Sequence, residues 1–213
     1  MQKERVIELC AAIVSGASVV GKKENEGPLS GGFDLFDKSD RFGAKTWEAA
    51  ESEMQRRALG TALSKLGLRD CELGALFAGD LLNQCVGSAY GLLEFDVPYF
   101  GLYGACSTCA EGLMLSSLTV SHNVFRYAAA VTSSHYCSAE RQYRLPIEYG
   151  GQRAPGAQWT VTGAGAFILK KADGERRAAV IRRGMPGRVL ERGINDASNM
   201  GAAMAPLIGI IVP

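Results

Sequence analysis

The sequence predicts an α/β protein: a mixed, mostly parallel sheet with helices on both faces. Three observations carry this. From Arg5 to Ser133 the chain alternates strand, helix, strand, helix, strand, helix, strand, an order that calls for parallel pairing through crossover helices. One apolar run, Val97 to Leu102, ends in a glycine turn and opens into a small-residue apolar helix that carries Cys106. The 213 residues are 47% hydrophobic with a net charge of +1, which supports a sizeable core and offers neither a basic groove for nucleic acid nor a polybasic membrane anchor.

In chain order, Arg5 to Val20 is rich in Ile, Val, Ala and Cys and reads as a strand or strand pair. Gly21 to Arg41, with Gly27-Pro28 and Gly31-Gly32, reads as a loop, and a loop of that length is often functional or an interface. Thr46 to Leu66 is the clearest helix. Thr46 suits the N-cap, Glu48, Glu51 and Glu53 sit early, and Trp47, Ala50, Met54, Ala58 and Leu63 trace one face before Gly67 stops it. Leu73 to Ala78 is a short buried strand, and Asp80 caps a helix expected over Leu81 to Leu93. The strand Val97 to Leu102 follows, then the Cys106 helix from about Ala105 to His122, then a strand over Phe125 to Ser133. Ser134 to Gln158 reads as a second long loop. Trp159 to Lys170 and Ala178 to Arg183 read as an antiparallel pair around the charged turn 173–177, and Gly193 to Ala205 as the start of a further helix.

A strand, a glycine turn and a cysteine opening a helix follow the logic of a nucleophile elbow. The positive end of a helix favours an anion such as a thiolate; a buried cysteine packing as a small hydrophobe is the plain alternative. In sheets of this kind ligands lie beyond the carboxyl ends of strands, where the Cys106 turn, Gly79 to Gln84 and Ser133 to Tyr136 all fall. Cys106 and Cys109 form a Cys-x-x-Cys, but a zinc site would need more ligands, with His135 and Cys137 the nearest candidates, so no metal and no cofactor are expected. Of the two histidines, His122 lies at the far end of the Cys106 helix, roughly 24 Å away at about 1.5 Å per residue. His135 alone stands as a candidate base, against the alternative of a loop histidine bonded to backbone. Thr162-Gly-Ala-Gly-Ala166 puts two glycines in a strand, which suggests close approach of another backbone or a ligand; packing against the Cys106 helix is the plain explanation. The six cysteines without a secretory leader point to a reducing compartment, and no segment has the length of a membrane span.

Gly101-Leu-Tyr-Gly-Ala-Cys-Ser-Thr108 strongly resembles the nucleophile segment of the thiolase-like superfamily. Within it the chain is similar to a group of sporulation proteins, over Val19-Val-Gly-Lys22, Glu26-Gly-Pro-Leu29, Ala78-Gly-Asp-Leu-Leu-Asn-Gln84, Thr132-Ser-Ser-His-Tyr136, Ala139-Glu-Arg-Gln142, Ala157-Gln-Trp-Thr-Val-Thr-Gly-Ala-Gly-Ala166 and Asn199-Met-Gly-Ala-Ala-Met-Ala-Pro206. The resemblance implies a fold of two similar halves and a homodimer formed through the first. Here 1–192 would be the N-terminal half and 193–213 the start of a second half that is cut short. It implies a protein that binds pyridine-2,6-dicarboxylic acid (dipicolinic acid) for uptake into the developing spore, peripheral to the cytoplasmic face of the spore inner membrane, with membrane proteins of the same sporulation operon as partners. Cys106 takes the place of the superfamily's acyl-accepting cysteine, and Asn83, Ser134, His135, Gly163 and Gly165 are expected to border the ligand with it. The second-half residues that handle protons in thiolase-like enzymes are not in this chain. An acyltransferase or ketoacyl-synthase-like enzyme acylated on Cys106 therefore stands as the alternative, and whether the chain is an enzyme stays open.

Overall fold

The computed structural model describes residues 6–143, 160–174, 178–187 and 193. β3 (Ala75–Gly79), next to one edge of the sheet, has five residues buried on both faces, as an apolar strand covered by helices should be. It pairs in parallel with β4 (Tyr99–Gly101) on one side and with β5 (Tyr127–Ser134) on the other. β5 runs antiparallel to β6 (Gly163–Lys171), and β6 antiparallel to β1 (Ile7–Val20). The two-residue β2 (Leu35–Phe36) lies parallel to the end of β1, and β7 (Ala179–Gly184) lies antiparallel to its beginning. The result is a seven-stranded mixed sheet in which β1 to β5 run one way and β6 and β7 the other.

Strand alternation sends successive side chains to opposite layers. Ala129 and Val131 of β5 and Ala164, Ala166 and Ile168 of β6 pack with α2 (Trp47–Leu66). Ala128, Leu169 and Phe167 face the layer of α4 (Thr108–Ser121), with Val120, Leu113 and Leu115. Leu76, Ile168 and Leu169 are fully buried, and each contributes about 1.5–3 kcal/mol of apolar transfer. α2 is framed as its sequence predicts. Thr46 Oγ1 accepts the Ala49 N–H at 3.2 Å, and Gly67 closes the helix in the left-handed conformation at φ 64°.

Several expectations are corrected. The segment after β1 is no plain loop: it contains α1 (Lys22–Asn25) as well as β2. The helix expected over Leu81 to Leu93 is only α3 (Val86–Gly91), because Gln84 (φ 63°) and Cys85 (φ 52°) take left-handed backbone and break it. Asp80 still caps it, from outside, through Oδ2 to the Ser88 N–H at 2.6 Å. Ser134 to Gln158 does not stay a loop, since α5 (Tyr136–Tyr143) begins directly after β5. β6 and β7 are not a hairpin. Ala11, Ala12 and Ile13 pair with β6 on one edge and β7 on the other, so the long β1 lies between them and takes the ladder each would have given its neighbour. The further helix expected at Gly193 to Ala205, and the boundary at 192/193, lie outside the described residues apart from Gly193.

Candidate functional site

The carboxyl ends of β3, β4 and β5 and the start of β6 lie side by side: Gly79 pairs with Thr132, Ala78 with Gly101, and Ser134 with Gly163. Beyond β4 the chain turns through Leu102, Tyr103 and Gly104. Cys106 lies in a short 3₁₀ turn, Ala105–Ser107, ahead of α4 rather than in its first α-helical turn. The cause is local. Ala105 is left-handed at φ 46°, and the tighter turn spends its own donors, the Ser107 N–H on Gly104 O at 2.9 Å and the Thr108 N–H on Ala105 O. Cys106 is exposed.

The turn is held from below. The Leu102 N–H donates to Ala78 O at 2.8 Å, and Leu102 O accepts the Cys85 thiol at 3.1 Å. That bond joins the Asn83–Cys85 turn beyond β3 to the Cys106 turn beyond β4. Of the six non-glycine residues with positive φ among the described residues, Gln84, Cys85 and Ala105 belong to these two turns; backbone held in sparsely populated regions collects at functional sites. Burial pushes the Cys85 thiol up. It also pushes up the Cys109 thiol, against a hydrogen bond from the Thr132 side chain.

By alternation, Thr132 and Ser134 of β5 and Gly163 and Gly165 of β6 share the sheet face covered by α4. The two glycines are not pressed against α4 as expected. A Cβ on Gly163 would meet Val19 O no closer than 3.4 Å, and one on Gly165 only the Phe167 ring at 4.0 Å. Gly165 leaves room on that face, whereas a Cβ on Gly163 would make ordinary contacts at 3.4–3.6 Å with Val19 O, Val161 Cγ1 and Val20 Cγ1. Ser134 Oγ donates to Val161 O at 2.6 Å. Asn83 starts the turn beyond β3; its side chain lies outside the described residues.

His135 belongs to the other layer. Its fully buried ring lies 5.3 Å from that of Trp47 at the start of α2. Nε2 is 2.8 Å from Asp40 O, and Nδ1 accepts the Cys137 N–H at 3.1 Å. Only the neutral Nε2–H tautomer serves both partners, and burial holds the imidazole below its ordinary range. The backbone-bonded alternative describes this histidine, and it is not placed to act as base to Cys106. The sequence reading missed Glu111. A Cβ on Gly104 would stand 2.6 Å from Glu111 Oε2, so this carboxylate lies against the Cys106 turn, five residues on and about one helical turn back in space.

Helices on both faces of a mixed sheet, with a cysteine turn beyond its edge strand, define a thiolase-like protein. The fold is shared with 3-oxoacyl-(acyl carrier protein) synthase III of Xanthomonas oryzae (TM-score 0.50, 15% identity, 77% of this chain and 57% of that one). It is shared equally with the synthase III of Aquifex aeolicus (TM-score 0.50, 12% identity, 76% and 54%). Sequence narrows the class. Residues 2–211 match the pattern of the stage V sporulation protein AD family, and stage V sporulation protein AD of Bacillus subtilis is 39% identical over 192 residues, 90% of this chain. The chain belongs to the stage V sporulation protein AD family. It spans 56% of that relative's length. No helix among the described residues is long and apolar enough to cross a membrane.

Proposed function

We propose that this sporulation protein binds pyridine-2,6-dicarboxylic acid in the space over Gly163, Gly165 and Ser134 beside Cys106, for uptake of the acid into the developing spore. The observation that carries the reading is the pair of glycines, Gly163 and Gly165, that brings no side chain to the sheet face beside the Cys106 turn. A flat aromatic acid needs room and fixed donors. With the Ser107 and Thr108 N–H groups spent inside the turn, a carboxylate held here meets the N–H groups ahead of them, at Ala105 and Cys106. Glu111 disfavours a second negative group on its own side, so the ligand approaches from the Gly163 side.

The protein works as a homodimer at the cytoplasmic face of the spore inner membrane, with membrane proteins of the same sporulation operon. Support for the dimer lies at β4. Among the described residues its outer edge has no strand partner, and Tyr99, Phe100 and Tyr103, in or just beyond the strand, are exposed; an apolar open edge is a pairing surface.

Calorimetry with the dicarboxylate, beside an acyl-loading assay with labelled acyl-coenzyme A, tests this. Cys106→Ala is expected to retain most of the binding, and Cys106→Trp to weaken it by roughly tenfold or more through occlusion. Stable acyl transfer to Cys106 with no dicarboxylate binding would establish the acyltransferase instead, a reading favoured by the exposure of that thiol.

A further inference from the structure

A second polar cluster lies on the opposite face of the sheet from Cys106, and the site described above does not use it. Glu51, in the middle of α2, is fully buried. Its Oε1 accepts the Ser133 hydroxyl at 2.8 Å and its Oε2 lies 2.8 Å from Ser138 Oγ. The cluster continues through Gln55 Nε2, which donates to Ser133 Oγ (2.8 Å) and Ser88 Oγ (2.9 Å), to the Ser88 hydroxyl, which donates to Asp80 Oδ2 (2.5 Å). A buried chain of hydrogen bonds thus joins two carboxyl groups. They are close: a Cβ on Gly87 would stand 3.2 Å from Asp80 Oδ2 and 3.3 Å from Glu51 Cγ.

Two negative charges cannot both be held there cheaply. The donors decide which group keeps a proton. Asp80 receives two backbone N–H groups, from Leu82 and Ser88, besides the Ser88 hydroxyl, and that suits a carboxylate. Glu51 receives no N–H and no cation among the described residues, only hydroxyls, and hydroxyls can turn. A protonated Glu51 donates from Oε2 to Ser138 Oγ, whose own hydrogen then reaches His135 O at 3.1 Å; every hydrogen in that arrangement has an acceptor. The charged groups facing Glu51 are Asp80 from the turn after β3 and Glu48 from its own helix, both acidic. The facing positions on α3, β5 and α5 are Gly87, Ser133 and Ser138.

We propose that Glu51 is an uncharged carboxylic acid in the folded protein, and that its proton latches the β5–α5 corner, residues 133–138, onto α2. The corner carries Ser134 to the Cys106 face, so loss of the proton loosens one wall of that face. The inference stands on the hydrogen-bond geometry and does not depend on which ligand occupies the site. Burial, with Asp80 adding to it, raises the Glu51 carboxyl from 4.5 to about 7. Because the folded value lies above the unfolded one, the folded state holds one more proton between about pH 4.5 and 7. Stability therefore falls as pH rises through that window and is level above it.

The test compares wild type with Glu51→Gln, which keeps a neutral, hydrogen-bonding group. The unfolding equilibrium constant of wild type is expected to rise across this window by on the order of 100-fold more than that of the variant. Hydrogen exchange, corrected for its intrinsic pH dependence, should show protection at residues 134–139 falling with pH in wild type and not in the variant. Should Glu51→Gln fail to fold, infrared spectroscopy of wild type with ¹³C-labelled glutamate reads the proton directly. A buried carboxylic-acid carbonyl band at about pH 6, inside the window and well above the ordinary glutamate range, supports the proposal. A fully ionised set of glutamates there, or equal pH dependence in both proteins, overturns it.

Discussion

Gly79 is where the fold and the Cys106 turn meet, and Gly79→Ala is the substitution that tests whether the turn is built as described. An alanine Cβ there would lie 2.3 Å from Leu102 O, 2.7 Å from Thr108 Cγ2 and 3.2 Å from the Leu102 carbonyl carbon. An overlap of that size has to move something, and backbone yields least. Leu102 is tethered on both sides, by its N–H to Ala78 O at 2.8 Å and by the Cys85 thiol on its oxygen at 3.1 Å. Overpacking of this kind destabilises by about 3 kcal/mol, or ~6–12 °C in Tm for a domain near this size. The displaced segment leads directly into Ala105 and Cys106, so the alkylation rate of Cys106 should change severalfold in the same variant. Gly60→Ala is the control. It lies within α2, a Cβ there meets nothing, and it should stabilise by up to ~1 kcal/mol. Thermal melts and timed alkylation with a small reagent read both. If Gly79→Ala melts within about 2 °C of wild type and leaves Cys106 reactivity untouched, the packing of β3 against the Leu102–Thr108 segment is not as described.

Cys106 should be alkylated faster than Cys71 or Cys10, although all three are exposed, because it alone occupies a strained turn ahead of a helix; mass spectrometry across pH ranks them, and equal rates would remove the case for a nucleophile. At the β4 edge, Tyr103→Asp, at a residue 70% exposed, should convert a dimer to monomer on gel filtration and remove the dependence of Tm on protein concentration, and an unchanged elution volume would put the dimer contact elsewhere.

The sequence disclosed what is local. Thr46 and Gly67 bracket α2 because a side-chain acceptor and a left-handed glycine solve the two ends of a helix by themselves. Where the deciding contact was distant, the reading failed. β6 and β7 are neighbours in sequence, and adjacency argued for a hairpin, yet the fourteen residues of β1 present two edges and separate them. Nothing between 171 and 179 signals that. The Cys106 turn was legible to within a residue or two; its left-handed Ala105 was not, because alanine gives no sign of positive φ.

Glu51 is legible in the sequence, though not as an acid that merely favours the start of a helix beside Glu48 and Glu53. Its phase says otherwise. The buried positions of α2 are Ala50, Glu51, Met54, Gln55, Ala58, Leu59, Ala62 and Leu63, pairs recurring every four residues in one unbroken stripe. Glu51 and Gln55 occupy the second member of the first two pairs, where Leu59 and Leu63 occupy the next two. A charged and an amide side chain in step with an apolar stripe are polar groups that must be buried, and a buried polar group needs partners. The small polar residues able to supply them stand at strand and helix ends, Ser133, Ser138 and Ser88. The α2 stripe therefore carries two kinds of information. Its apolar members set how the helix lies on the sheet. Its polar members mark where the helix is bonded to the end of β5, the strand that delivers Ser134 to the opposite face.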